Sequence, residues 1–232
     1  MPRTVIADNA APLERAPTEP LVEAIGQRVE RMIINGEIPA GGKLNEYALA
    51  QQFQVSRTAL REAVRTLERS GLVTILPNRG VFVRRVSLKE ALDLFDVRAG
   101  LARTAGRLIA ARATDAQIAD LTSLHATMIA AWEARDVSRY YALNQTFHSL
   151  LMACSGNERL ASLYEMLSNE LHLFRRRNLG NSAQLEVSIQ DHAKILDGIT
   201  AHDPGKTERA FERHILMGKQ RMLDTLSAQP EE

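Results

Sequence analysis

The 232-residue chain contains a single cysteine, Cys154, and a single tryptophan, Trp132. One thiol excludes an internal disulfide framework and a multi-cysteine zinc site. Placed at a helix end, Cys154 reads as a small buried apolar residue rather than a reactive group. No apolar run approaches the roughly 18–20 residues of a membrane-spanning helix. The opening MPRTVIADNAAPLERAPTEP lacks the apolar core of a signal peptide. A cytoplasmic protein with no membrane contact is expected. The chain also lacks an H-E-x-x-H helix and any nucleophile motif, so nothing positions a general base or a nucleophile for hydrolysis.

What is present is unevenly distributed. Net charge is only +1, yet residues 20–85 hold ten Lys/Arg against six Asp/Glu, and residues 86–232 hold seventeen against nineteen. The basic excess of the N-terminal third is the modest electrostatic footprint that nucleic-acid binding needs. Residues 1–19 carry Pro2, Pro12 and Pro17 among small polar residues without apolar periodicity, and read as a flexible arm.

From Leu21 the apolar positions recur at three and four, which predicts an amphipathic helix ending near Asn35-Gly36. Asn45 caps a short helix through Phe53, and Ser56 caps a second with Ala59, Leu60, Ala63, Val64 and Leu67 inward and Gly71 as its stop. The β-rich runs LVTIL and GVFVRR flank Pro77-Asn78-Arg79-Gly80, a hairpin signal. Three short helices and a hairpin make a winged helix-turn-helix over residues 20–85. Residues 86–232 are helical throughout in pattern, with helices expected near 87–112, 115–134, 137–154, 157–178, 183–202 and 205–227. The expected fold class is therefore mainly α: a winged helix-turn-helix with a small β-hairpin wing, followed by an antiparallel helical bundle whose core suits a ligand site.

In VSRTALREAVRTLERSG the buried stripe leaves Ser56, Arg57, Thr58 and Arg61 on the first turns of the helix. A recognition helix enters the major groove N-terminal end first, where arginine pairs with guanine and short hydroxyls bond phosphate. Arg57 and Arg61 are the expected base readers, Ser56 and Thr58 the phosphate contacts. Arg79 at the hairpin tip can reach the minor groove or a phosphate. The run over residues 36–83, GEIPAGGKLNEYALAQQFQVSRTALREAVRTLERSGLVTILPNRGVFV, resembles the DNA-binding domain of the GntR family of bacterial transcription regulators. It shares a Gly-Gly turn, LA-x-x-F, V-S-R-T-x-x-R-E-A, a GLV strand entry and a G-x-F-V wing. The resemblance implies operator contacts from Arg57, Thr58, Arg61 and the wing near Gly80, and a homodimer on palindromic double-stranded DNA. Tyr47 departs from it, standing where many relatives carry arginine or another polar residue.

Asn144 and His148 stand one helical turn apart on one face. His148, His192 and His214 fall in helical contexts that could converge, although their spacing forms no local chelate. His125, His172 and His202 read as structural or surface residues, and Trp132 and Phe147 as core. Residues 87–228 resemble the helical ligand-binding domain, FCD, of the FadR-like branch. In many of those relatives an aspartate and three histidines bind a divalent metal with a small carboxylate in or beside its shell. The matching positions here are His148, His192 and His214, with Asn144 in place of the aspartate; Arg98 is kept, but Ala102 replaces a common glutamate. Three imidazoles still form a shell for Zn²⁺ or Ni²⁺. An uncharged amide oxygen is a weaker fourth ligand, so the site should hold metal less tightly, attract an anion more strongly, and retain metal better in an Asn144→Asp variant.

A carboxylate effector would pair with Arg98 through its planar guanidinium, and with Arg175 among the arginines of HLFRRRN. The expected function is thus a repressor whose operator binding responds to a small organic acid in a histidine-rich, metal-containing pocket. Two alternatives stand beside it: a constitutive dimeric DNA-binding protein with a vestigial pocket, and a three-histidine metalloenzyme.

Overall fold

Local capping chemistry sets most of the helix boundaries in the computed structural model, which describes residues 21–175 and 183–227, the side chains at 175, 183 and 184 excepted. Helix α1 (Leu21–Ile34) buries Ile25, Val29, Met32 and Ile33, the three-four stripe read from the sequence. A two-residue strand β1 (Lys43–Leu44) follows. Helix α2 (Glu46–Phe53) starts where the Asn45 side chain accepts from Ala48 N at 3.1 Å. Helix α3 (Arg57–Arg69) starts where Ser56 Oγ accepts from Ala59 N at the same distance. Strands β2 (Val73–Leu76) and β3 (Gly80–Val83) form the hairpin, with Leu76 facing Gly80 and Val73 facing Val83. The expected two-stranded wing is in fact a three-stranded antiparallel sheet in the order β1-β3-β2. Lys43 and Leu44 pair with Phe82 and Val81, and a strand of two residues has no periodicity to announce it.

Among the described residues six helices follow: α4 (Leu88–Arg112), α5 (Asp115–Glu133), α6 (Val137–Cys154), α7 (Glu158–Arg175), α8 (Ala183–Thr200) and α9 (Pro204–Ser227). Thr114 and Gln117 form a reciprocal capping box at the start of α5, and Asp136 caps α6 through Arg139 N. The chain divides into two compact units. Among the described residues the first holds 21–88 and 168–175, and the second holds 89–167 and 183–227.

In the first unit, Leu60, Ala63, Val64 and Leu67 of α3 lie inward with Ile25 and Val29 of α1. The carboxylate of Glu170, near the end of α7, meets Arg84 at 2.6 Å. Gly71 has φ +75°, and a Cβ there would lie 2.7 Å from Glu170 Oε1. Glycine is required at that position both by the backbone and by the approach of the carboxylate.

In the second unit, Phe95, Phe147, Phe211 and Tyr140 are almost wholly enclosed. Burial of a side chain of this size contributes about 1.5–3 kcal/mol. Two glycines bring backbones together at the start of α9. A Cβ on Gly106 would lie 2.8 Å from Glu208 Cα, and one on Gly198 would lie 2.9 Å from Thr207 N. That close approach of α4 and α8 to the first turn of α9 sets the height of the buried stripe Thr207, Phe211, His214 and Ile215. Cys154 is buried at the end of α6, and burial pushes its thiol pKa up. No described helix is long and apolar enough to cross a membrane. The N-terminal arm lies outside the described residues.

Candidate functional site

In the first unit, the amphipathic division of α3 turns Arg57, Thr58 and Arg61 to the exposed side while the aliphatic stripe faces inward. Ser56 Oγ is engaged as acceptor in the cap, which leaves its proton for an anion. Arg61 Nε lies 3.5 Å from Glu46 Oε1, so α2 steadies the guanidinium that the next helix presents. Arg79 is exposed at the turn between β2 and β3, where Arg79 N donates to Leu76 O at 3.1 Å and Gly80 has φ +103°. Lys43 of β1, which no motif in the sequence marks, runs alongside that turn, its Cε 3.0 Å from the place of a Gly80 Cβ. Tyr47 is 61% exposed on α2. These groups form a basic, hydrogen-bonding face around a helix N-terminus, the chemistry that phosphate and base edges accept.

In the second unit, three helices that are far apart in sequence place their histidines together. His148 comes from α6, His192 from α8 and His214 from α9; one nitrogen from each lies within 4.8 Å of the other two. His214 Nε2 is 3.2 Å from His192 Nε2 and 3.2 Å from His148 Nε2. Phe147 seats the group from one side, its ring centroid 4.7 Å from that of His192. His192 is completely enclosed and His214 nearly so.

Burial first, and then the neighbouring imidazoles, pushes His192 well below the ordinary histidine range. Burial also lowers His214, to about 4, with the Arg221 and Arg98 guanidinium groups acting in the same direction and Asp191 against them. Both rings are therefore neutral at pH 7 and carry a free lone pair, as a metal ligand must. Nitrogens bound at 2.0–2.1 Å to one tetrahedral Zn²⁺ lie roughly 3.3 Å apart. The observed separations of 3.2 Å already match that spacing. Asn144 Oδ1, one turn before His148 on α6, is buried without a hydrogen-bond partner among the described residues. Among the described residues this oxygen is left unused, and the three imidazole nitrogens fit a divalent ion.

The surroundings add cationic groups. Arg98 is 5% exposed; its Nη2 donates to Tyr164 Oη at 2.9 Å, and its guanidinium carbon sits 4.5 Å from the centre of the Tyr164 ring. Tyr164 Oη in turn lies 3.2 Å from His148 Nδ1. Arg98 therefore reaches the cluster through a tyrosine that sequence reasoning missed, and its Nε has no partner among the described residues. Arg221 was missed as well, and its Nη1 lies 3.5 Å from Asp191 Oδ2. Burial alone would raise the Asp191 carboxyl, but the His214 ring and the Lys194 ammonium outweigh it and hold it at about 2.

Ala102, at the place of the common glutamate, is fully buried and contributes no charge. His125 satisfies itself on Ile189 O at 3.1 Å, and His202 contacts Ala110 O at the same distance. Arg175 closes α7, but its side chain lies outside the described residues.

Comparison with known proteins agrees with this two-part organisation. The model for bacterial regulatory proteins of the gntR family matches residues 21–83, and the FCD domain model matches residues 93–216. The chain is 26% identical to the transcriptional repressor RspR of Escherichia coli, over 86% of this chain and 87% of that protein. It is 34% identical to the Nta operon transcriptional regulator of Aminobacter aminovorans, over 68% and 77% of the two chains. The fold is similar to that of E. coli McbR/YncC, with a TM-score of 0.77 at 20% identity, covering 90% of this chain and all of that one. These relatives are regulators and not enzymes, which removes the metalloenzyme alternative. With a GntR-type winged helix-turn-helix followed by an FCD domain, the chain belongs to the GntR family of DNA-binding transcriptional regulators.

Proposed function

We propose that this regulator is a repressor that binds palindromic operator DNA as a homodimer and is controlled by a small carboxylate held beside a divalent metal in the second unit. The observation that carries the reading is the meeting of three imidazole nitrogens, two of their separations at the spacing of a tetrahedral shell, with the buried Arg98 guanidinium nearby. His148, His192 and His214 would hold Zn²⁺ or Ni²⁺, with Asn144 Oδ1 as a weak fourth donor. The ion would supply a positive centre for one carboxylate oxygen. Arg98 supplies directional donors for the other, since Tyr164 fixes its guanidinium plane. With no carboxylate among the four donors, the shell leaves the ion's charge uncompensated, which favours an anionic effector. Arg57 and Arg61 would read base edges, with Ser56, Thr58, Arg79 and the wing at Gly80 against the backbone. The repressor sign follows RspR, whose name describes one.

The test uses a duplex selected from a random pool by the full chain. Its affinity is measured by fluorescence anisotropy for chelator-treated and Zn²⁺-loaded protein against a panel of small mono- and dicarboxylates. At least one acid should weaken binding about tenfold or more in the Zn²⁺-loaded state, within the usual range of coupling between sites. Affinity that stays within about twofold under every combination would replace this reading with the constitutive binder.

A further inference from the structure

Asp191 is a buried carboxylate of the second unit, 4% exposed, on α8 immediately before His192. Enclosing a carboxylate costs several kcal/mol unless close partners compensate. Its partners here are Lys194 Nζ at 3.4 Å from Oδ1 and Arg221 Nη1 at 3.5 Å from Oδ2. Oδ2 also faces His214 Nδ1 at 3.9 Å, and neither of these two buried atoms has a hydrogen-bond partner among the described residues. Adjacent residues on a helix point about 100° apart. Asp191 and His192 accordingly approach the same imidazole from two sides: His192 Nε2 meets His214 Nε2 at 3.2 Å, while Asp191 meets the opposite ring nitrogen. A carboxylate only accepts hydrogen bonds. Whichever proton His214 carries is favoured on Nδ1, and the Nε2 lone pair then points toward His148 and His192.

We infer that Asp191 is a positioning residue: it holds His214 in the Nδ1-protonated tautomer and so aims Nε2 into the three-histidine cluster, while Arg221 and Lys194 hold Asp191 in place. The negative charge that Asn144 does not provide in the ligand shell is thus supplied one layer out, through a ring. Behind His148 stands the Tyr164 hydroxyl, 3.2 Å from Nδ1, which both donates and accepts and so orients that ring without fixing its tautomer. Such outer partners of a metal-bound histidine fix its tautomer and raise its basicity, and their loss costs about 10–100-fold in metal affinity.

The effect of Asp191 on metal rests on the metal reading above; its effect on the tautomer does not. Long-range ¹H–¹⁵N correlation spectra of metal-free, histidine-labelled full-length protein should show His214 protonated at Nδ1. In an Asp191→Asn variant with an unchanged melting temperature the population should move toward the Nε2-protonated form. Zn²⁺ affinity of that variant, measured by competition with a chromophoric chelator, should fall about tenfold or more. A wild-type His214 protonated at Nε2 overturns the proposal, as does Zn²⁺ affinity within about twofold of wild type in Asp191→Asn. If the wild type takes up no Zn²⁺, the metal reading fails and the tautomer alone decides the role of Asp191. Should Asp191→Asn not fold, the wild-type spectrum still shows which ring nitrogen of His214 carries the proton, and that alone supports or overturns the proposal.

Discussion

Replacing His192 by leucine is expected to lower Zn²⁺ affinity on the order of 100-fold or more while leaving the metal-free fold as stable as before. Loss of an outer partner already costs 10–100-fold, so loss of a ligand nitrogen should reach or exceed the top of that range. Stability should behave differently because His192 is completely enclosed, stands against Phe147 and leaves Nδ1 without a hydrogen-bond partner among the described residues. Removing Nδ1 takes away a desolvation cost that offsets the lost contact of Nε2 with His214, which keeps His148 Nε2 at 3.2 Å, and leucine refills most of the volume. Isothermal titration calorimetry and thermal melting in chelator should therefore separate the two properties, with affinity collapsing and the melting temperature unchanged or higher. Zn²⁺ binding within tenfold of wild type would place the ion elsewhere.

The second large effect is expected on DNA. With Arg57 and Arg61 both changed to alanine, affinity for the selected duplex should drop on the order of 30-fold or more, because each paired arginine–guanine contact is worth about 1–3 kcal/mol. Both side chains are exposed on α3, outside the stripe of Leu60, Ala63, Val64 and Leu67, so the fold should not register the change. Binding to a scrambled duplex should fall much less, since the lost contacts are to base edges and the remaining basic groups act on phosphate. Fluorescence anisotropy on both duplexes measures the ratio. An equal loss on the two would mean that the arginines act only as backbone contacts.

The helices were legible because their ends are chemical. Asp136 and the Ser155-Gly156-Asn157 stop bracket α6 as written in the chain, and Thr114, Asn45 and Ser56 cap the helices they precede. The α3 face of the DNA-binding unit was legible for the same reason, as the hydrophobic stripe leaves only one side for arginines. Strand β1 was not, because two residues acquire their identity only by pairing with Phe82 and Val81.

In the second unit, the histidines stood out through their residue type and the family pattern, yet nothing in the spacing of 148, 192 and 214 shows that three helices bring the rings together. Tyr164, Asp191 and Arg221 were missed because their meaning is entirely tertiary. Tyr164 sits in an ordinary apolar stripe, and Arg221 stands among other charged residues of α9. Asp191 offered one signal, a carboxylate immediately before a histidine on a helix whose neighbouring turn is aliphatic.

The burial of Cys154 has a practical side. It is the sole thiol of the chain, enclosed at the end of α6 and with its pKa raised, so it should react slowly with maleimides and methanethiosulfonates. A cysteine introduced at Asn78, exposed at the wing turn, would be the one readily labelled position in the molecule. A fluorophore or spin label there would report DNA engagement without first having to remove a native cysteine.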